Sequence, residues 1–172
     1  QDEVEFLSGL PLSTKAGSFT LVHGSLRDPL GEYLLDQDSA LATFALLKTA
    51  GCLVGHSHIP FFCVGSSGKA DLLDFGCGEP ISVPGPENGG NCIINPGGVG
   101  QPRDRDPRPS YAVYDSQANT IERHRVTYDI KKDSGQDAAG RPAPAAGSPS
   151  RSRLLTTLRS RLFIGRCMGR LD

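Results

Sequence analysis

Two short apolar runs, each ending in histidine beside glycine, limit most tightly what this chain can fold into: Leu21-Val22-His23-Gly24 and Leu53-Val54-Gly55-His56-Ser57-His58. Runs of this length and composition read as strands. Glycine at a strand end lets backbone and ligand approach closely, and loops leaving strand ends are where α/β proteins build sites on a rigid sheet. Both runs would therefore deliver imidazoles to a sheet edge. If the backbone stays extended through His56-Ser57-His58, the rings at i and i+2 point to the same side and can face one metal cluster. A lone His23 reads as readily as a hydrogen-bonded histidine near a turn. The His-x-His pair in a matching context turns the reading toward metal, for which neutral imidazole is the commonest ligand. His124, between Arg123 and Arg125, reads as a surface residue.

Further strands are expected at 18–22, 52–54, 61–64, 72–75, 92–94, 111–114 and 121–127, divided by Gly and Pro turns. A helix is expected over 39–50, with Leu41, Ala42, Ala45 and Leu46 at helical spacing and Lys48 reaching solvent. Segment 2–12 reads as the end of a helix stopped by Gly9 and Pro11, as if the chain starts in mid-fold. Strands, one clear helix and then mostly strands predict a mixed sheet backed by helix, an α/β layered domain over residues 1–132.

The net charge of −1 conceals a split, with 11 Lys and Arg against 16 Asp and Glu in residues 1–132 but 7 against 3 in 133–172. Residues 133–150 are rich in Gly, Pro, Ala and Ser and read as a disordered linker, because so little apolar surface does not offset the entropy of ordering. Beyond it, Leu154, Leu155, Leu158 and Leu162 share a helical face ringed by Arg151, Arg159, Arg161 and Arg166. That basic amphipathic tail over 151–172 suits a membrane surface or a protein partner, or else packs nowhere. Five cysteines without a Cys-x-x-Cys pair support neither a disulfide framework nor a zinc ribbon, and point to buried thiols in a reducing cytoplasm. The acidic body argues against a long nucleic-acid track.

A glycine loop, Asn95-Pro96-Gly97-Gly98-Val99-Gly100, follows the strand at 92–94, and its successive amides, Gly97 and Gly98 above all, could form an anion-binding nest or a plain tight turn. Arg103, Arg105 and Arg108 come next, with guanidinium groups suited to phosphate, although the interleaved Asp104 and Asp106 could neutralise them.

These residues resemble the calcineurin-like metallophosphoesterases, especially the small prokaryotic branch. Val22-His23-Gly24-Ser25, Gly55-His56-Ser57-His58 and Asn95-Pro96-Gly97-Gly98-Val99-Gly100-Gln101-Pro102-Arg103 match the later motifs of that family in order, over about residues 6–130. The resemblance implies that His23 and His56 bind one divalent metal and His58 a second, with manganese foremost and iron, zinc or magnesium also compatible. Two such ions about 3.5–4 Å apart would hydrolyse a phosphomonoester or phosphodiester. The family's opening Asp-x-His, Gly-Asp-x-x-Asp and Gly-Asn-His motifs are absent from these residues. Three neutral imidazoles do not readily hold two dications against their mutual repulsion, so the expectation is a C-terminal half whose activity needs an acidic N-terminal half. Gly98 stands where relatives commonly carry serine. Two other readings stay open: a single zinc held by all three histidines with water in the fourth position, and a non-catalytic interaction module on the same fold.

Overall fold

The computed structural model describes residues 3–85 and 90–129. The expected linker and basic tail, 133–172, lie outside the described residues. In chain order the elements are α1 (Glu3–Ser8), β1 (Ser13–Ala16), β2 (Phe19–Val22), α2 (Gln37–Leu46), β3 (Gly51–Leu53), β4 (Phe61–Ser66), β5 (Lys69–Asp74), β6 (Ile81–Ser82), β7 (Asn91–Asn95), β8 (Ser110–Asp115) and β9 (Thr120–Arg125). A six-stranded mixed sheet runs β1-β2-β3-β7-β4-β5, and a three-stranded antiparallel sheet runs β6-β9-β8. The α/β architecture of mixed sheets with few helices is therefore present.

The layers follow from alternation along the central strands, where successive side chains face opposite ways. Cys52, Val54, Phe61, Cys63 and Ile93 face α2 and form one core with Ala40 and Leu34. Their neighbours Leu53, Phe62, Cys92 and Ile94 face the other way, meeting Phe75, Val83 and Ile121 beneath the small sheet. Strands covered on both faces must be apolar throughout, which is why β3 and β7 read as unbroken runs.

The helix corrects two expectations. It starts at a capping box, in which the Asp36 carboxylate accepts from the Ser39 amide at 2.8 Å, and it stops at Leu46 because Leu47 is extended. Its inward face carries Ala40, Leu41, Thr43 and Phe44, followed by Leu47, so Leu41 packs as expected, while Ala45 is exposed and Leu46 is 51% exposed. Phe44 decides the rotation, because its ring fills the space over Gly65 of β4, where an added Cβ would meet it at 2.7 Å. Lys48 is exposed as expected.

Three parallel strands, β2, β3 and β7, end at one edge of the large sheet. There Val22 leads into His23, Leu53 leads into 54–58, and Asn95 leads into the glycine loop. Antiparallel β4 begins at that edge, with Phe61 opposite Asn95. Three loops are therefore gathered by topology alone.

Candidate metal centre

His23 and His56 meet at this edge. His23 Nε2 lies 2.9 Å from His56 Nδ1, and the rings cross edge to face with centroids 4.6 Å apart. His56 Nε2–H donates to the Gly31 carbonyl at 3.2 Å, so Nδ1 is its lone-pair nitrogen. Burial holds the His56 imidazole below the usual histidine range; the hydrogen bond to Gly31 opposes that shift, and the charge of Arg103 adds to it. A neutral ring is the ligating form.

With His56 Nδ1 as acceptor, His23 Nε2–H donates across the 2.9 Å, and an ion about 2.0–2.1 Å from both nitrogens at a right angle would replace that proton at the same separation. His58 is held separately. Its Nδ1–H donates to the Gln101 carbonyl at 2.8 Å, the kind of backbone anchor that fixes the tautomer of ligating histidines and leaves Nε2 as the lone-pair nitrogen. Among the described residues no three His, Cys, Asp or Glu side chains group closely enough to hold an ion. The single-zinc arrangement is therefore not formed by these residues.

The backbone between the rings is not extended, which corrects the sequence expectation. His56 and His58 both have φ of 60°, in the left-handed region that side chains with Cβ rarely adopt. Asn95 holds this bend from below. It is fully buried; Nδ2 donates to the Gly55 carbonyl at 2.8 Å and to Ser57 Oγ at 3.0 Å, and Oδ1 accepts from the Gly97 amide at 2.9 Å. With its amide so engaged and its residues buried, the Gly97-Gly98 turn is shaped by Asn95 and does not present the Gly97 amide as a nest. Gly98 lies beneath His58, where an added Cβ would come within 3.1 Å of the His58 Cβ.

Of the three arginines, Arg108 is paired with Asp106 at 2.6 Å, and Asp104 pairs with Arg125 and, at 3.8 Å, with Arg123. The side chains of Arg123 and Arg125 are buried clamps on this loop, while His124 between them, read as a surface residue, is half-buried and stacks on Tyr111. Arg103 is exposed and contacts neutral groups, the Tyr33 hydroxyl at 3.4 Å and Gln101 Oε1 at 3.1 Å.

No family model matches the chain. An uncharacterized protein of Methanocaldococcus jannaschii is 34% identical over 171 residues, covering 96% of this chain and 60% of that protein. The crystal structure of a metallophosphoesterase from Sphaerobacter thermophilus superposes with a TM-score of 0.71 at 35% identity, covering 91% of this chain and 64% of that one. This chain has the fold of the C-terminal part of that metallophosphoesterase. A hypothetical protein from Pyrococcus horikoshii shares the fold at 21% identity and a TM-score of 0.54, covering 78% of this chain and 47% of that one. The chain thus spans under two thirds of the length of these relatives.

Within the metallophosphoesterase fold, three residues next to the imidazoles escaped the sequence reading. Asn95 was visible only as the start of a glycine turn. Gly31 and Tyr33 sit in the 24–33 loop, where Pro29 and Gly31 mark turns but nothing local says which imidazole they meet. Tyr33 stacks on His56 at 4.2 Å with an interplanar angle of 10°.

Proposed function

We propose that this chain supplies the imidazole half of a two-metal phosphoesterase site that hydrolyses a phosphomonoester or phosphodiester. The observation that carries the reading is the 2.9 Å approach of His23 Nε2 to His56 Nδ1, at the edge where the parallel strands end. His23 and His56 would hold one divalent ion and His58 the other. Bound ions, manganese first among them, would polarise the phosphoryl group and provide the nucleophile at neutral pH. The carboxylates that balance two dications are contributed from outside these residues. Arg103, whose guanidinium has only neutral partners among the described residues, would take a phosphate oxygen, and Gly97 and Gly98 would shape the backbone beneath it.

The test joins residues 1–172 behind the part of the Sphaerobacter thermophilus protein that lies outside the match, and measures release of p-nitrophenol from mono- and bis-p-nitrophenyl phosphate with Mn²⁺. Metal-dependent turnover that falls at least about 100-fold in His56→Ala supports the reading, on the scale expected when a metal ligand is removed. A folded fusion that binds Mn²⁺ but has no turnover on either ester contradicts it. In that case the interaction-module reading takes precedence.

A further inference from the structure

Resting on the reading of His56 as a metal ligand, we propose that Tyr33 is the positioning residue that fixes the His56 ring, and that Arg103 braces Tyr33 in turn. A histidine side chain can rotate about Cβ–Cγ and exchange its Nδ1 edge for carbon, so a ligating ring needs contacts that set both its plane and its flip. The Gly31 carbonyl sets the flip by accepting from Nε2–H at 3.2 Å. Tyr33 sets the plane, lying 4.2 Å away and 10° from parallel. The left-handed φ of 60° at His56 is a conformation that persists only where surroundings over-determine it.

Gly31 and Tyr33 reach His56 together because the 24–33 loop is closed on itself. The Gly24 amide donates to Pro29 O at 2.8 Å, the Gly31 amide to Asp28 Oδ1 at 3.1 Å, and Arg27 pairs with Glu32 at 2.5 Å, while buried Ser25 donates to Glu32. Tyr33 belongs to neither hydrophobic core and is 43% exposed, so core packing does not account for its placement. Its outer end is held instead. Arg103 Nη1–H donates to the Tyr33 hydroxyl at 3.4 Å, and the guanidinium carbon lies 5.9 Å from the ring centroid. The Arg103 amide also donates to the His58 carbonyl at 3.2 Å, and Arg103 Nη2–H reaches Gln101, whose carbonyl anchors the His58 ring. The Tyr33–Arg103 pair therefore ties the loop that orients His56 to the loop that orients His58.

The test compares the fusion that joins residues 1–172 to the acidic part of the Sphaerobacter thermophilus protein with its Tyr33→Leu and Tyr33→Phe variants. Long-range ¹H–¹⁵N spectra of the histidine rings, recorded without metal, read the tautomer of His56, and Mn²⁺ titration followed by electron paramagnetic resonance reads binding. The wild type and Tyr33→Phe are expected to show one Nε2–H tautomer. Tyr33→Leu frees the ring plane and so weakens the long 3.2 Å bond to Gly31 that sets the flip; it is expected to show a mixture, with Mn²⁺ affinity reduced at least about tenfold in line with loss of a contact that orients a ligand. Tyr33→Leu with an unchanged single tautomer and unchanged affinity, in a chain whose backbone amide spectrum is otherwise preserved, overturns the assignment. If His56→Ala leaves Mn²⁺ binding unchanged, the reading of the site fails, while the tautomer comparison still decides whether Tyr33 holds the ring.

Discussion

At the scale of single residues, the site depends on groups that never face a ligand. Asn95 is the clearest case, since one amide side chain satisfies Gly55, Ser57 and Gly97 at once in a fully buried place. Replacing it with alanine leaves buried backbone groups without partners, and the expected loss is about 1–3 kcal/mol in chemical denaturation, with an unchanged denaturant slope. Gly98→Ser is expected to move His58 by a few tenths of an ångström, because the new Cβ starts 3.1 Å from the His58 Cβ; a crystal structure of the variant measures it. Much of this was legible in the sequence. Histidine beside glycine at two apolar strand ends placed the rings at the sheet edge, because the apolar runs that make β2 and β3 strands stop there. The extended path through His56-Ser57-His58 was not legible as wrong, because the left-handed bend is imposed from 95–97, about 40 residues away in the chain.

At the scale of elements, strands were read better than the helix. The apolar runs in β3, β4 and β7 are decided by burial on both faces and are plain in sequence. The four-residue β1 was invisible because it is a largely exposed edge strand without alternation, and β5 was placed too late because the two-residue turn at Ser67-Gly68, with φ of 48° and 79°, lets pairing begin at Lys69. The face of α2 was read only in part: Leu41 packs on the core, but Ala45 and Leu46 are exposed because the rotation is set by Phe44 docking over Gly65. Gly65→Ala should therefore cost about 1–3 kcal/mol through overpacking, and Phe44→Leu in the same chain should recover part of it in a double-mutant cycle.

At the scale of the whole molecule, the two sheets are joined through the loop after β7 by Asp104 and Asp106 with Arg108, Arg123 and Arg125. Hydrogen bonds from Arg108 hold the Asp106 carboxyl down at about 2, below its ordinary value of 3.8. A depressed carboxylate contributes stability that is fully present above the unfolded value and lost as pH falls through the folded one. The thermal midpoint should accordingly drop between about pH 4 and pH 2, and Asp106→Asn should flatten that part of the profile, as differential scanning calorimetry can measure. The buried thiols Cys52, Cys63 and Cys92, each pushed up to about 12 chiefly by burial, should stay unreactive toward thiol reagents in the folded chain, whereas exposed Cys77 should react. No helix among the described residues is long and apolar enough to cross a membrane.

The most direct test of the account is the position of a metal ion. Crystals of the fusion carrying the acidic part of the fold, grown with Mn²⁺, should show an anomalous peak within bonding distance, about 2.0–2.3 Å, of both His23 Nε2 and His56 Nδ1, with a second peak at His58 Nε2. Manganese bound elsewhere in the same crystals, with His23 and His56 still hydrogen-bonded to each other, would contradict it.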